Sequence, residues 1–271
     1  MTKSLYERFL VRPGTKVRLG QWDADDTAGY EAKETARELL ARNIERLAKR
    51  QHLLYAEGKR ALLVVFQAMD AGGKDGTIRQ VMSGLNPQSC HVTAFRAPSE
   101  TERAHDFLWR IHQAVPARGE IGIFNRSHYE DVLVVRVRKL VPKSVWSKRY
   151  LVINEFERAL AESGVTLLKF FLHISPEEQA ERLRERLADP TQSWKLSPTD
   201  LEDRRLWGDF ARAYEAALSR CSTPWGPWFV IPANKKWFRN LAVSEIIVHT
   251  LDGLNMAYPK PTFDPATMVV K

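Results

Sequence analysis

Apolar runs of five to eight residues recur along the chain and alternate with stretches in which apolar residues return every three or four positions. A continuous apolar run predicts a strand buried on both faces, and the wider spacing predicts a helix with one buried stripe. The strands predicted in this way are Ala61–Gln67, His91–Phe95, Glu120–Phe124, Thr166–His173 and Trp228–Ile231. The helices fall near Lys74–Gly84, Glu100–Val115, Lys143–Glu162, Pro176–Ala188, Pro198–Arg220 and Phe238–Gly253. Such alternation is the mark of βαβ units, so the expected fold is α/β, a parallel five-stranded sheet with helices on both faces. The run Ser175-Pro176-Glu177-Glu178 supports one boundary, with a capping serine, proline at the first helical position and early acids.

Upstream, the first 20 residues hold Pro13, Gly14 and Gly20 without any period and read as an irregular arm. From Thr27 to Ala48 the chain turns helical, with Leu39, Leu40, Ile44 and Leu47 on one stripe. Residues 1–55 are therefore expected to form an arm and a helix packed on the core, and residues 56–271 the main domain. Within the latter, two charged helices over 176–220 flank the turn at 189–198. A helical hairpin on such a core is either a lid over a site or a surface element with internal ion pairs.

Composition narrows the class. With 271 residues, 44% hydrophobic and 27% charged, the chain can bury one substantial core. No apolar run approaches the roughly 20 residues needed to cross a bilayer, and the N-terminal stretch lacks the apolar centre of a secretory signal, so a cytoplasmic location and no membrane partner are expected. Cys90 and Cys221 stand alone, with no CxxC spacing to suggest a disulfide framework or a zinc site. The net charge of +8 points to a polyanionic partner. Its cations are scattered, and no zinc-finger or RNA-binding signature accompanies them, which argues against nucleic acid.

The chemistry concentrates at Val64–Met82, where a hydrophobic strand runs into a glycine-rich turn and a helix. Successive backbone N–H groups at such a junction face an anion, and the helix dipole favours it. Gly72 and Gly73 permit close approach and positive φ, and Lys74 supplies a point charge. A standard phosphate loop reads G-x-x-x-x-G-K-[ST], whereas here Ala68 replaces the first glycine and Asp75 follows the lysine. Asp70 adds a second carboxylate inside the loop. Carboxylates beside phosphate imply magnesium or a general base, although an acid before a helix also caps it.

A second cluster, Asn125-Arg126-Ser127-His128-Tyr129-Glu130-Asp131, follows the third predicted strand, where a metal-binding carboxylate of such folds would stand. Asn125 occupies that place, with Glu130 and Asp131 just beyond. Arg126, Arg136 and Arg138 offer bidentate phosphate contacts, and His128 reads as a hydrogen-bonding partner.

These residues resemble the polyphosphate kinase 2 family, which has a P-loop kinase core of the thymidylate-kinase type with a helical lid. The resemblance covers most of the chain. It rests on Ala68-Met69-Asp70-Ala71-Gly72-Gly73-Lys74-Asp75-Gly76, on the Asn125–Asp131 cluster, on His173-Ile174-Ser175-Pro176-Glu177-Glu178-Gln179, on Trp194-Lys195-Leu196-Ser197-Pro198 and on Pro232-Ala233-Asn234-Lys235-Lys236-Trp237. It implies direct, magnesium-dependent transfer between inorganic polyphosphate and adenine or guanine nucleotides. It further implies that Lys74 grips the transferred phosphates, that Asp70 orients acceptor or metal, and that Arg126 and Arg182 contact polyphosphate. Many members have Asp at the position of Asn125, which makes Asp131 the expected replacement metal ligand beside Asp70. Asn125 with Tyr129-Glu130-Asp131 resembles the branch that phosphorylates both AMP and ADP. The binding set implied is Ala71, Gly72, Gly73, Lys74, Asp75, Gly76, Thr77, Asn125, Glu130, Arg136, Trp194 and Lys195, Trp194 either stacking on a base or anchoring the lid turn. A homo-oligomer, dimer or tetramer, is expected. The competing readings are an ATP-dependent nucleoside monophosphate kinase and a non-catalytic polyanion-binding protein.

Overall fold

A computed structural model describes residues 4–264 and 268. In chain order its elements are α1 (Leu5–Phe9), β1 (Leu10–Val11), α2 (Lys33–Glu57), β2 (Ala61–Ala68), α3 (Lys74–Val81), β3 (Cys90–Ala94), α4 (Glu100–Arg103), α5 (Trp109–His112), β4 (Ile121–Asn125), α6 (Val134–Val137), α7 (Lys143–Glu162), β5 (Val165–His173), α8 (Pro176–Ala188), α9 (Pro198–Arg205), α10 (Trp207–Cys221), β6 (Trp228–Pro232) and α11 (Lys236–Gly253). The strands form one sheet in the order β1-β6-β5-β2-β4-β3. β2 to β6 are mutually parallel, and β1 runs antiparallel to β6.

All eight residues of β2 are buried, as its unbroken apolar run requires. Alternate side chains serve opposite faces: Leu62, Val64 and Phe66 pack with residues of α2, α3 and α11, and Leu63 and Val65 pack with Phe156 and Leu160 of α7. α10 covers the rest of that second face through Phe210, Tyr214 and Leu218. The chain leaves β2 towards β3 and β4 on one side and crosses to β5 on the other, so the carboxyl end of β2 lies where the strand order reverses. Crevices for ligands open at that point in doubly wound sheets.

The sheet has six strands rather than five. β1 is two residues long, too short for a period to show, and is specified by distant pairing of Leu10 with Phe229 and Val11 with Trp228. The arm is accordingly less irregular than its sequence reads: Ser4 caps α1, and the N–H groups of Val17 and Leu19 donate to Ser219 Oγ and Glu215 Oε1 of α10 at 2.8 and 2.9 Å. The first long helix starts later than Thr27 because Ala28 and Gly29 take positive φ values of 51° and 86°. It runs beyond Ala48 because no breaker intervenes before Gly58, which caps it in the left-handed conformation. The single helix expected over Glu100–Val115 is split at Asp106, whose carboxylate accepts the Leu108 N–H at 2.9 Å. Pro198–Arg220 is broken at Leu206 into α9 and α10. Among the described residues no helix is long and apolar enough to cross a membrane.

A buried polar cluster ties the second face to the turn after β4. Lys169 of β5 and Glu157 of α7, both fully buried, form an ion pair. Lys169 Nζ also donates to Tyr129 Oη at 2.9 Å and to the Cys221 carbonyl at 2.7 Å, while Tyr129 Oη and His128 Nε2 donate to Glu157 Oε1 at 2.8 and 3.1 Å. Burial lowers the pKa of His128, which is fully buried and bonded to Glu157, as expected of a hydrogen-bonding partner. Burial alone would raise the pKa of Glu157, but Lys169 and His128 outweigh it and lower it. Removing one member of such a pair strands the other charge. Lys169→Met is expected to destabilise the fold by about 3–5 kcal/mol, read from chemical denaturation, and Glu157→Gln combined with it should cost less than the sum of the single changes.

Candidate active site

The loop joining β2 to α3 carries the chemistry. Gly72 has no room for a side chain: a Cβ there would lie 2.6 Å from Ala68 Cβ and 2.8 Å from the Met69 carbonyl oxygen. Gly73 caps α3 with φ 97°, and Ala71 also turns through positive φ at 60°. The Gly72 N–H is spent on Met69, but the N–H groups of Gly73, Lys74, Asp75 and Gly76 have no acceptor among the described residues. They form an anion cradle at the positive end of the helix dipole. Lys74 Nζ rests at 3.3 Å from the Ala68 carbonyl, half-buried beside the cradle. Burial, then the nearby Arg126, lower its pKa against the opposing pull of Asp70, Glu130 and Asp75.

The turn after β4 brings the second cluster to this loop. Arg126 holds a left-handed φ of 62°, unusual for a side-chain-bearing residue and costing roughly 1–3 kcal/mol. Its N–H is fixed on the Phe66 carbonyl at 3.0 Å. Its guanidinium thereby reaches Asp70 Oδ1 at 3.2 Å and Glu130 Oε2 at 3.9 Å. Glu130 is held in turn by Gln67 Nε2 at 2.9 Å, a fully buried amide at the end of β2. Asn125 Nδ2 donates to Asp75 Oδ1 at 2.6 Å, so the aspartate that follows the loop lysine faces the asparagine that stands where a metal-binding carboxylate is usual.

Other residues singled out from the sequence lie elsewhere. Thr77 turns its hydroxyl onto the Gly73 carbonyl at 3.0 Å and is buried. Asp131 bonds Arg149 Nη1 at 2.7 Å and does not line the cavity beside Asp70. Its turn is a 3-10 turn, in which successive side chains point about 120° apart, so Glu130 faces the loop and its neighbour does not. Arg182 of α8 is only 5% exposed, and its guanidinium is spent on backbone: the Ala71 carbonyl at 3.0 Å, Asn234 at 3.0 Å and Ala233, with Nε on Glu178 at 2.8 Å. It braces the loop from within rather than presenting a charge on a lid surface. Arg136 stacks over Trp146 at 4.8 Å, facing a separate groove with Lys139 and Lys143. Trp194 is 75% exposed at the hairpin tip, with Lys195 over its ring at 5.4 Å.

A small cavity opens against Asp70, Arg126 and Glu130. Its far wall is Asp203 of α9 with Trp207, Phe210 and Tyr214 of α10. Sequence reasoning missed these four, because they approach the loop only through the folding of the hairpin. Gln179, in a quoted motif but given no role, ties that hairpin to the loop by donating to the Asp70 carbonyl at 2.9 Å, and Arg204 of α9 donates to its side chain at 2.9 Å. Arg138 bonds Asp203 at 2.6 Å. Burial raises the pKa of Asp200 and Asp203, and the charge of Asp70 adds to the effect. The lining of the cavity joins apolar aromatic faces to carboxylates and one arginine beside the phosphate loop.

The family model for polyphosphate kinase 2 matches residues 30–259. The AMP/ADP-polyphosphate phosphotransferase of Meiothermus ruber is 56% identical over 266 residues, covering 98% of this chain and 100% of that protein. The ADP-polyphosphate phosphotransferase of Rhodopseudomonas palustris is 47% identical, covering 94% of this chain and 93% of its own length. Among solved structures, polyphosphate kinase 2 from Arthrobacter aurescens TC1 superimposes with a TM-score of 0.93 at 43% identity, over 98% of this chain and 95% of that one.

The Asp131 carboxyl gives the site a pH signature. Burial outweighs Arg149 and Arg110 and pushes its pKa up to about 6 from 3.8. A carboxyl with a raised folded-state pKa binds its proton more tightly when folded, so its contribution is full below the unfolded value and lost as pH rises through the folded one. The urea midpoint of the wild type is therefore expected to fall more steeply than that of Asp131→Asn between about pH 4 and pH 6, with parallel profiles above about pH 7.

Proposed function

The chain belongs to the polyphosphate kinase 2 family, and on that premise we infer that it passes phosphoryl groups directly between inorganic polyphosphate and adenine nucleotides, converting AMP to ADP and ADP to ATP. The observation that carries this reading is the pairing of a phosphate cradle at Gly73–Gly76 with the carboxylate–arginine–carboxylate set Asp70, Arg126 and Glu130 on the wall of one cavity. Phosphoryl transfer asks little covalent chemistry of a protein. It needs donor and acceptor oxygens held in line and charge opposite the developing negative oxygens. Lys74 meets the phosphoryl being transferred, the open N–H groups hold the donor behind it, and Arg126 bridges the transferred group to the acceptor phosphate. Asp70 orients the attacking oxygen. The pair of Asp131 and Arg149 steadies the turn that carries Glu130.

Magnesium fits this site as a cation brought in with its substrates. Among the described residues no three acidic, histidine or cysteine side chains form a ready metal centre, and magnesium is typically held by one or two carboxylates plus phosphate oxygens. Asp70 and Asp75 are the carboxylates that would hold it, since each engages a partner through its Oδ1 alone among the described residues. When bound it neutralises charge across adjacent phosphoryl oxygens.

The α8–α10 hairpin serves as the lid over the cavity. Its bonds through Gln179, Arg204 and Arg138 hold it against the phosphate loop and the turn after β4, and closure of a lid of this kind makes and breaks such polar contacts. Closure excludes water, which would otherwise compete with the nucleotide for the phosphoryl group.

Incubation with AMP or ADP, polyphosphate and magnesium is expected to yield ADP and ATP, followed by chromatography of the nucleotides; no product from either acceptor would overturn the reading. Product from ATP and AMP together with indifference to polyphosphate would instead support a nucleoside monophosphate kinase. Lys74→Ala should lower kcat by about 1000-fold with an unchanged circular dichroism spectrum and melting temperature.

A further inference from the structure

Arg239 lies in the first turn of α11, 3% exposed. A buried charge without a partner costs several kcal/mol in general, so arginines at that depth are held by carboxylates or by a full set of acceptors. Arg239 has neither. Its Nε and Nη2 donate to one amide oxygen, Asn240 Oδ1, at 3.2 and 3.0 Å, and among the described residues Nη1 donates to nothing. Burial and the neighbouring Arg182 push its pKa down to about 10 from 12.5. The helix dipole works in the same direction, because a cation in the first turn sits at the positive end. Lys235 and Lys236 stand at that same terminus, Lys236 being 3.5 Å from Glu185.

The unpaired end of Arg239 points at the phosphate loop. A Cβ built on Gly73 would fall 1.9 Å from Arg239 Nη1 and 3.5 Å from Arg182 Nη1, and one on Gly76 would fall 3.5 Å from Arg239 Nη2. Two buried guanidiniums thus flank the residues whose backbone N–H groups lack acceptors. The fold gathers positive charge here against its own stability. A doubly held anion offsets that cost, since a guanidinium binds phosphoryl oxygens in a fork.

We propose that Arg239, with the N–H groups of Gly73 to Gly76, forms a second phosphoryl subsite that takes the unit of the polyphosphate donor next to the one gripped by Lys74. The assignment rests on the polyphosphate reading of the site. It makes Arg239 a donor-binding residue with no contact to the nucleotide, whose cavity is lined by other side chains. It also gives Gly73 a second reason to be glycine, as any side chain there would displace Arg239.

The test uses Arg239→Met and Arg239→Lys in the full chain. With AMP as acceptor, Arg239→Met is expected to raise the KM for polyphosphate at least about tenfold while the KM for AMP changes less than about twofold, and Arg239→Lys should recover part of the loss. A purely structural arginine would lower the melting temperature and kcat without separating the two KM values. Calorimetric titration with inorganic tripolyphosphate gives a readout independent of turnover, expected to weaken at least about tenfold in Arg239→Met and by a smaller factor in Arg239→Lys. Arg239→Lys keeps the charge and carries the test should Arg239→Met fail to fold. An unchanged polyphosphate KM and unchanged tripolyphosphate affinity in a folded variant overturn the role of Arg239 alone. A wild-type chain that makes no product from polyphosphate overturns the underlying reading, even where tripolyphosphate binds through Arg239.

Discussion

The guanidinium of Arg182 donates to the carbonyls of Ala71, Ala233 and Asn234 and to the carboxylate of Glu178, so the phosphate loop, the β6–α11 turn and α8 share one buried cation. Ala71 sits in the left-handed region, where a residue with a side chain stays only when its surroundings hold it. Arg182 supplies that hold from behind while Gly72, packed on Ala68, supplies it from below. With the loop fixed, its open N–H groups keep one direction. The rest of the site is aligned to them: Arg126 by its bond to Phe66, Glu130 by Gln67, and the hairpin by Gln179 on the Asp70 carbonyl.

Charge is sorted around that loop by sign. Carboxylates gather on the cavity side at Asp70, Glu130, Asp200 and Asp203, with Arg126 against the first two and Arg138 against Asp203. Guanidiniums gather against Gly73, where among the described residues Arg182 is bonded to the carboxylate of Glu178 and Arg239 to none. Lys74 lies between the two groups and feels both, with Arg126 lowering its pKa and Asp70 raising it. A protein with a net charge of +8 attracts polyanions from a distance in any orientation, whereas this local sorting sets which end of a substrate faces which wall.

What was legible in the sequence was what is local. The cradle, its lysine and the two odd carboxylates are contiguous, and the Asn125–Arg126 pair follows its strand directly, so residue order conveys their meeting. The parallel core was legible for the same reason, since each strand declares itself by its own apolar run. Side-chain direction was not. Adjacent positions in a 3-10 turn part company, which separated Glu130 from Asp131, and burial spends the guanidinium of Arg182, expected to contact polyphosphate, on backbone carbonyls. Long-range partners left no local trace either: β1 is two residues, and Asp203, Trp207 and Arg239 reach the loop only after the sheet and hairpin have formed. Arg239 stands just beyond the quoted Lys235-Lys236-Trp237 motif, but nothing in its period marks it as different from a surface arginine.

The helical break at Leu206 divides the cavity wall into two parts with different obligations. Downstream, α10 is core, with Phe210, Ala213, Tyr214 and Leu218 all buried, and Tyr214 bonds the Ala68 carbonyl at 2.9 Å. Upstream, α9 has no buried residue and brings Asp203 to the rim through a surface bond to Arg138. Substitutions in α10 are therefore constrained by packing, while the eight residues of α9 can change at little expense to the fold. The floor of the pocket is thus tied to the core while its rim is not, and tolerance for change at this cavity concentrates in one short exposed helix.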